Sequence, residues 1–330
     1  MADLPLSSDA SADAGAISVF VMAYGGPDKL EDVRPYLLDV RNQRPTSDEL
    51  VHEIAQRYAQ IGGRSPILEL TQAQATALQQ ALDKIAPSQF RVWVGMRHWH
   101  PFIKDVLAEM ERAGEKRAVG LVMAPHYSRM SIGAYYKRLE EAGSSITIAP
   151  IERWHLLPGY LDAVEDRVRT ALARFPAEVR DQVPVIFTAH SLPEKILTWD
   201  DPYPRELAAT TSALGARIAP QPFDFAYQSA AMTPDPWLGP DAGQAIARLA
   251  SEGHRHLLLA PIGFVCEHVE ILYDIDVEFR RQAEALGVHL ERIKMVNDHP
   301  AMMAGLATLV QQRAVEAGWF SIEPEQTTAR

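Results

Sequence analysis

The chain has 330 residues, more than one hydrophobic core usually fills, so two domains of roughly 150 residues each are expected. Hydrophobic residues make up 47% and charged residues 23%, the balance of an ordinary soluble globular protein. The formal net charge of −11 argues against a nucleic-acid partner, and a single cysteine, Cys266, excludes an intramolecular disulfide or an iron–sulfur cluster held by four thiolates.

Residues 1–16 are rich in Ser, Ala and Asp and lack the basic start and apolar block of a secretory signal, so they read as a disordered leader. No apolar run approaches the roughly 18 to 20 residues that a spanning helix needs. No transmembrane segment and a cytoplasmic location are therefore expected. After the leader, short β-branched or apolar runs alternate with segments of helical periodicity, the pattern of parallel strands joined by crossover helices. The first half offers strands at 17–23, 91–96, 118–124 and 146–151, and the second at 183–188, 223–227, 256–261 and 289–296. The expected fold class is α/β, with two similar Rossmann-like lobes, 17–155 and 156–330. Each would be a four-stranded parallel sheet flanked by helices, with the active-site cleft between them. Gly114 and the following strand to Pro125 are echoed by Gly253 and the strand to Pro261, as a duplication would leave them.

Open parallel sheets bind ligands beyond the carboxyl ends of their strands, which singles out Tyr24, His98, His126, His190, Gln228 and the stretch 263–270. Neither GxGxxG nor GxxxxGK[ST] follows any strand, so no nucleotide is suggested, and Gly25-Gly26-Pro27 and Gly62-Gly63 read as tight turns. Arg41, Arg44 and Arg57, with Tyr58 beside the last and Ser65 shortly after, form a basic group able to fork around a carboxylate; scattered surface arginines are the plainer alternative. His190 closes the run Val185-Ile186-Phe187-Thr188-Ala189 at a sheet rim. No G-x-S-x-G elbow surrounds Ser191, so a serine nucleophile is disfavoured. If the run after Cys266 is helical, Glu270, Asp274 and Glu278 lie at i, i+4 and i+8 and stack along one face, where their mutual repulsion invites a cation. A solvated acidic face is the alternative. Carboxylates beside an imidazole suit Fe²⁺, Mn²⁺ or Mg²⁺.

Taken together, these segments resemble the ferrochelatase family. The similarity is carried by Thr188-Ala189-His190-Ser191-Leu192-Pro193, by Phe225-Ala226-Tyr227-Gln228-Ser229 with Pro234-Asp235-Pro236-Trp237-Leu238-Gly239-Pro240 after it, and by Pro261-Ile262-Gly263-Phe264-Val265 with His268-Val269-Glu270 and Leu272-Tyr273-Asp274. The N-terminal half most resembles the bacterial coproporphyrin type, in Val21-Met22-Ala23-Tyr24-Gly25, in Arg57-Tyr58-Ala59-Gln60-Ile61-Gly62-Gly63, and in Ala124-Pro125-His126-Tyr127-Ser128 leading to Tyr135. The resemblance implies Fe²⁺ and a porphyrin, here coproporphyrin III, as substrates, with protoporphyrin IX the alternative. It implies that His190 and Glu270 handle the iron. Tyr24 would be an axial ligand in the product complex, and Arg41, Arg57, Tyr58, Ser65 and Tyr135 would contact the porphyrin. Asp274 and Glu278 are candidates for a second divalent cation, and a monomer is expected. A cobalt or nickel chelatase would lack the block from Pro234 to Pro240, and an exported haem carrier would need a signal segment.

Overall fold

The computed structural model describes residues 15–231 and 233–321; the leader expected at 1–16 lies outside these except for its last two residues. In chain order the elements are β1 (Ile17–Ala23), α1 (Val33–Val40), α2 (Asp48–Gln60), α3 (Ile67–Ile85), β2 (Phe90–Met96), α4 (Ile103–Arg112), β3 (Arg117–Val122), α5 (Ile132–Ala142), β4 (Thr147–Ile151) and α6 (Pro158–Leu172). The second half adds β5 (Val185–His190), α7 (Tyr203–Ile218), β6 (Phe223–Gln228), α8 (Ala242–Ser251), β7 (His256–Pro261), α9 (Val269–Leu272), a π-helical segment (Asp274–Phe279), α10 (Arg280–Ala285), β8 (His289–Arg292) and α11 (Pro300–Glu316). Among the described residues no helix is long and apolar enough to cross a membrane.

The eight expected strands are all present, in two parallel sheets ordered β2-β1-β3-β4 and β6-β5-β7-β8. The second order repeats the first strand for strand. Helices cover both faces of each sheet, which is why β1 is buried at every position and reads as an apolar run broken only by Ser18. Local signals start several helices: the Ser47 hydroxyl accepts from the Leu50 N–H at the head of α2, Pro158 opens α6, and Asp241 with Gln244 forms a capping box on α8. Several strand boundaries differ from the sequence expectation, among them those of β5 and β8. β5 runs on to His190, because His190 still pairs with Gln228 of β6, and Val183 instead closes a 3₁₀ turn. β8 stops at Arg292; beyond it Met295 and Val296 bury as irregular backbone.

In each sheet the chain leaves its first strand in one direction and returns on the other side, so the order reverses between β1 and β3 and again between β5 and β7. A cleft opens outside the carboxyl ends of the strands at such points. The lobes are joined by a shared core: Val19 and Val21 of β1, Leu78 of α3, Phe187 of β5 and Leu306 of α11 belong to one apolar cluster. The last described helix, α11, packs against α3, α6 and β4, so it rests on elements of the first half of the molecule as well as the second.

Candidate active site

A cavity of about 260 Å³ lies at these strand ends. The turn after β1 supplies Tyr24 and Gly25, the segments after β3 supply Met123, His126 and Ser131, β5 ends on His190, and the turn after β7 supplies Gly263 to Cys266. Helices add Tyr58, Tyr135 and Glu270. Two glycines allow the close approach. Gly25 has φ +89°, and a Cβ there would stand 2.9 Å from the Trp99 backbone nitrogen; one on Gly263 would stand 2.7 Å from the Ala189 Cβ, beside His190.

His190 and Glu270 meet in this cavity with Nε2 and Oε1 3.4 Å apart, each side chain keeping about a third of its surface, 29% and 32%. Nδ1 of His190 is hydrogen-bonded to the Ser191 carbonyl, which only accepts, so Nδ1 carries the proton and Nε2 faces Glu270. Burial alone would lower the His190 pKa. The Glu270 charge and hydrogen bond, aided by the Ser191 carbonyl and Asp274, outweigh it and raise the pKa to about 9. Burial would raise the Glu270 pKa, but His190 and His268 together hold its carboxyl well below the usual range. His268 places Nε2 3.2 Å from the other carboxylate oxygen, so the anion lies between two imidazoles.

Tyr24, Tyr58, Ser65 and Tyr135, all singled out in the sequence, line the cavity with this pair. Partial burial and the Glu270 charge push the Tyr24 phenol up to about 12, so its proton stays on at neutral pH unless a metal displaces it. Arg41 and Arg57 are not among the lining residues. Arg41 is exposed past the end of α1, its guanidinium 3.4 Å from the Pro45 carbonyl. Arg57 on α2 is held by Glu53 at 2.9 Å, by Asp274 at 3.7 Å and over the Tyr273 ring. That pairing also changes the acidic run: Asp274 is buried, accepts from the Ser229 hydroxyl and already has Arg57 as its cation. Burial, only partly offset by Ser229 and Arg57, raises its pKa to about 6. Glu278 is exposed. The expected uniform helical face is therefore divided: Glu270 sits on α9, whereas Asp274 and Glu278 lie on a π-helical segment marked by the Glu278 N–H reaching the Tyr273 carbonyl. Among the described residues no group of three or more His, Cys, Asp or Glu comes together around one metal position.

Sequence reasoning passed over Arg97. It follows β2, lines the cavity, and stacks its guanidinium 5.3 Å from the Tyr135 ring centre and 5.9 Å from that of Tyr24. His98, next to it, was visible as a strand-end residue, and the same rule applied one position earlier finds Arg97.

Two sheets of repeated order with an imidazole–carboxylate pair at their rims define a two-lobed α/β protein of the fold seen in solved metal chelatases. SirB from Bacillus subtilis with Fe³⁺ superposes with a TM-score of 0.55 at 9% identity, covering 93% of this chain and 100% of that one. The sirohydrochlorin chelatase SirB from Bacillus subtilis subspecies spizizenii in complex with cobalt gives 0.52 at 11%, with the same coverage. At such identities the likeness is one of fold. By sequence the chain belongs to the ferrochelatase family, whose sequence model, described as Ferrochelatase, matches residues 16–314. A ferrochelatase from Herpetosiphon aurantiacus is 42% identical over 297 residues, covering 89% of this chain and 97% of that protein. A coproporphyrin III ferrochelatase from Geobacillus kaustophilus is 37% identical over 305 residues, covering 91% and 96%.

Proposed function

We propose that this protein inserts Fe²⁺ into coproporphyrin III, giving coprohaem and releasing the two pyrrole protons. The observation that carries the reading is the His190–Glu270 pair, Nε2 to Oε1 3.4 Å, set in a cavity walled mostly by aromatic and apolar side chains. A flat tetrapyrrole fits such walls, and the pair supplies what metallation needs. Glu270, held as an anion, attracts Fe²⁺ and replaces part of its water. The arriving charge displaces the Nε2 proton of His190 to solvent. The lone pair so freed can ligate the iron or accept a pyrrole proton and pass it on to water, the second pyrrole proton leaving by the same route, and the carboxylate offsets the positive charge that builds up.

Relatives at 36–37% identity carry the coproporphyrin III name, which supports the choice of porphyrin, as does a cation within the cavity, Arg97, with Arg41 exposed nearer the α1–α2 turn. Each charge-assisted contact to a propionate contributes about 1.5 to 3 kcal/mol, and coproporphyrin III offers four propionates where protoporphyrin IX offers two. Turnover of the two porphyrins with Fe²⁺, followed side by side by the shift of their absorption bands, tests this. Higher kcat/KM for coproporphyrin III is expected; an equal or higher value for protoporphyrin IX overturns the substrate choice, and no metallation of either overturns the activity.

A further inference from the structure

The reactive pair has to be held at its spacing by something other than itself. Glu270 sits on α9, a helix of only four residues that runs into the π-helical segment, and a helix so short does not sustain its own geometry. His190 is the last residue of β5, beyond which the ladder ends.

One buried side chain reaches both. Gln228, the last residue of β6, has no exposed surface and lies directly opposite His190 in the ladder. Its carbonyl accepts the Ser191 N–H at 2.8 Å, which fixes the end of β5. Its side-chain Nε2 donates to the Glu270 carbonyl at 3.2 Å, which fixes the start of α9. Its Oε1 accepts from the hydroxyl of Thr188, also fully buried, at 2.6 Å. The amide orientation follows from counting donors: a backbone carbonyl only accepts, so the NH₂ must face Glu270 and the oxygen must face Thr188. The next residue, Ser229, holds a left-handed backbone conformation (φ 60°) unusual for a residue with a side chain, and from there its hydroxyl reaches Asp274.

We infer that Gln228 is a positioning residue that sets the separation of His190 and Glu270, with Thr188 locking its amide in the required orientation. The inference rests on the proposed chelatase reading and deepens it. Losing such a support typically costs a metal site about 10- to 100-fold in activity without touching the ligands themselves.

The test uses the full chain with Fe²⁺ and coproporphyrin III. Gln228→Leu is expected to lower kcat by about 10- to 100-fold while KM for the porphyrin stays within about twofold. Gln228→Glu, which turns an oxygen towards the Glu270 carbonyl, is expected to do the same, and Thr188→Val to act in the same direction more weakly. Thr188→Ser, which keeps the hydroxyl, is expected to restore the wild-type kcat. Gln221→Leu is the control for stability alone, since Gln221 is a buried glutamine whose amide bonds the Arg180 and Val183 carbonyls instead. An unchanged kcat in folded Gln228→Leu overturns the inference, as does a loss matched by Gln221→Leu. If Gln228→Leu does not fold, an unchanged kcat in Thr188→Val overturns it. Wild-type protein that metallates nothing fails the activity reading itself, an outcome distinct from all of these.

Discussion

Glu270 holds a negative charge in a half-buried place because two imidazoles face it, His190 at 3.4 Å and His268 at 3.2 Å. Removing that charge while keeping its shape, as in Glu270→Gln, leaves His190 without its counter-ion and takes away the anionic group proposed to attract Fe²⁺. We expect kcat to fall by about 100-fold or more, as for His190→Ala, with porphyrin binding retained in both, because neither change touches the aromatic walls. Single-turnover metallation beside a porphyrin titration by absorbance separates the two effects; near-normal kcat in either variant removes that residue from the mechanism. Arg97 belongs to the binding side of the same split. It lines the cavity, no acidic side chain lies within ion-pair distance of it among the described residues, and its Nε is buried without a hydrogen-bond partner. A propionate can meet that need. Arg97→Met should raise KM for coproporphyrin III about tenfold, the equivalent of about 1.4 kcal/mol, with kcat little changed. A drop in kcat at constant KM would place Arg97 with the chemistry instead.

At the scale of elements, periodicity carried the strands well, because a parallel strand buried on both faces can only be a short apolar run. It carried the ends of elements less well, since β5 continues to His190 through a pairing with β6 that local sequence does not reveal. The strand-end rule found Tyr24, His126, His190 and Gln228, all of which the structure brings to the cavity or to the support of its pair. It did not reveal that Arg57 is committed to Asp274, because that contact joins residues 217 positions apart, nor the π-helical segment that divides the acidic run. The turn after β7 shows what such packing requires. Its Gly263 lies against Ala189, and a methyl group there would stand 2.7 Å from the Ala189 Cβ and 2.9 Å from its Cα. Gly263→Ala must therefore push the turn away from the end of β5. Overpacking of this kind costs about 1 to 3 kcal/mol, and we expect a lowered Tm together with a lowered kcat. Wild-type values of both would show that the turn has room to move.

For the molecule as a whole, the seam between the lobes is polar as well as apolar, and that sets its response to acid. His126, from the segment after β3, is 2% exposed; its Nε2 lies 2.9 Å from the Thr210 hydroxyl of α7, and its ring stacks on His155. Beside it Glu206 of α7 accepts the Tyr127 N–H at 2.7 Å, and Asp201 accepts the Ser128 hydroxyl and the Arg129 N–H, so two carboxylates of the second lobe grip a turn of the first. Burial, with the nearby His155, holds the His126 pKa well below 6.5. The unfolded chain, with an ordinary imidazole, therefore binds a proton that the folded chain refuses in the range below about pH 6.5. The stability associated with a neutral His126 is full above that pH and is lost as pH falls through 6.5 towards the depressed folded value, with a limiting slope of about 1.4 kcal/mol per pH unit. Glu206 works in the opposite sense, since burial raises its pKa and the folded state takes up its proton first as the pH drops towards 4.5. A comparison with His126→Gln isolates the imidazole, because glutamine keeps a donor for Thr210 and cannot titrate. Urea unfolding at pH 7.5, 6.5 and 5.5 should show the wild type losing stability more steeply than the variant below pH 6.5, and parallel curves would mean that the seam takes up its acid protons elsewhere.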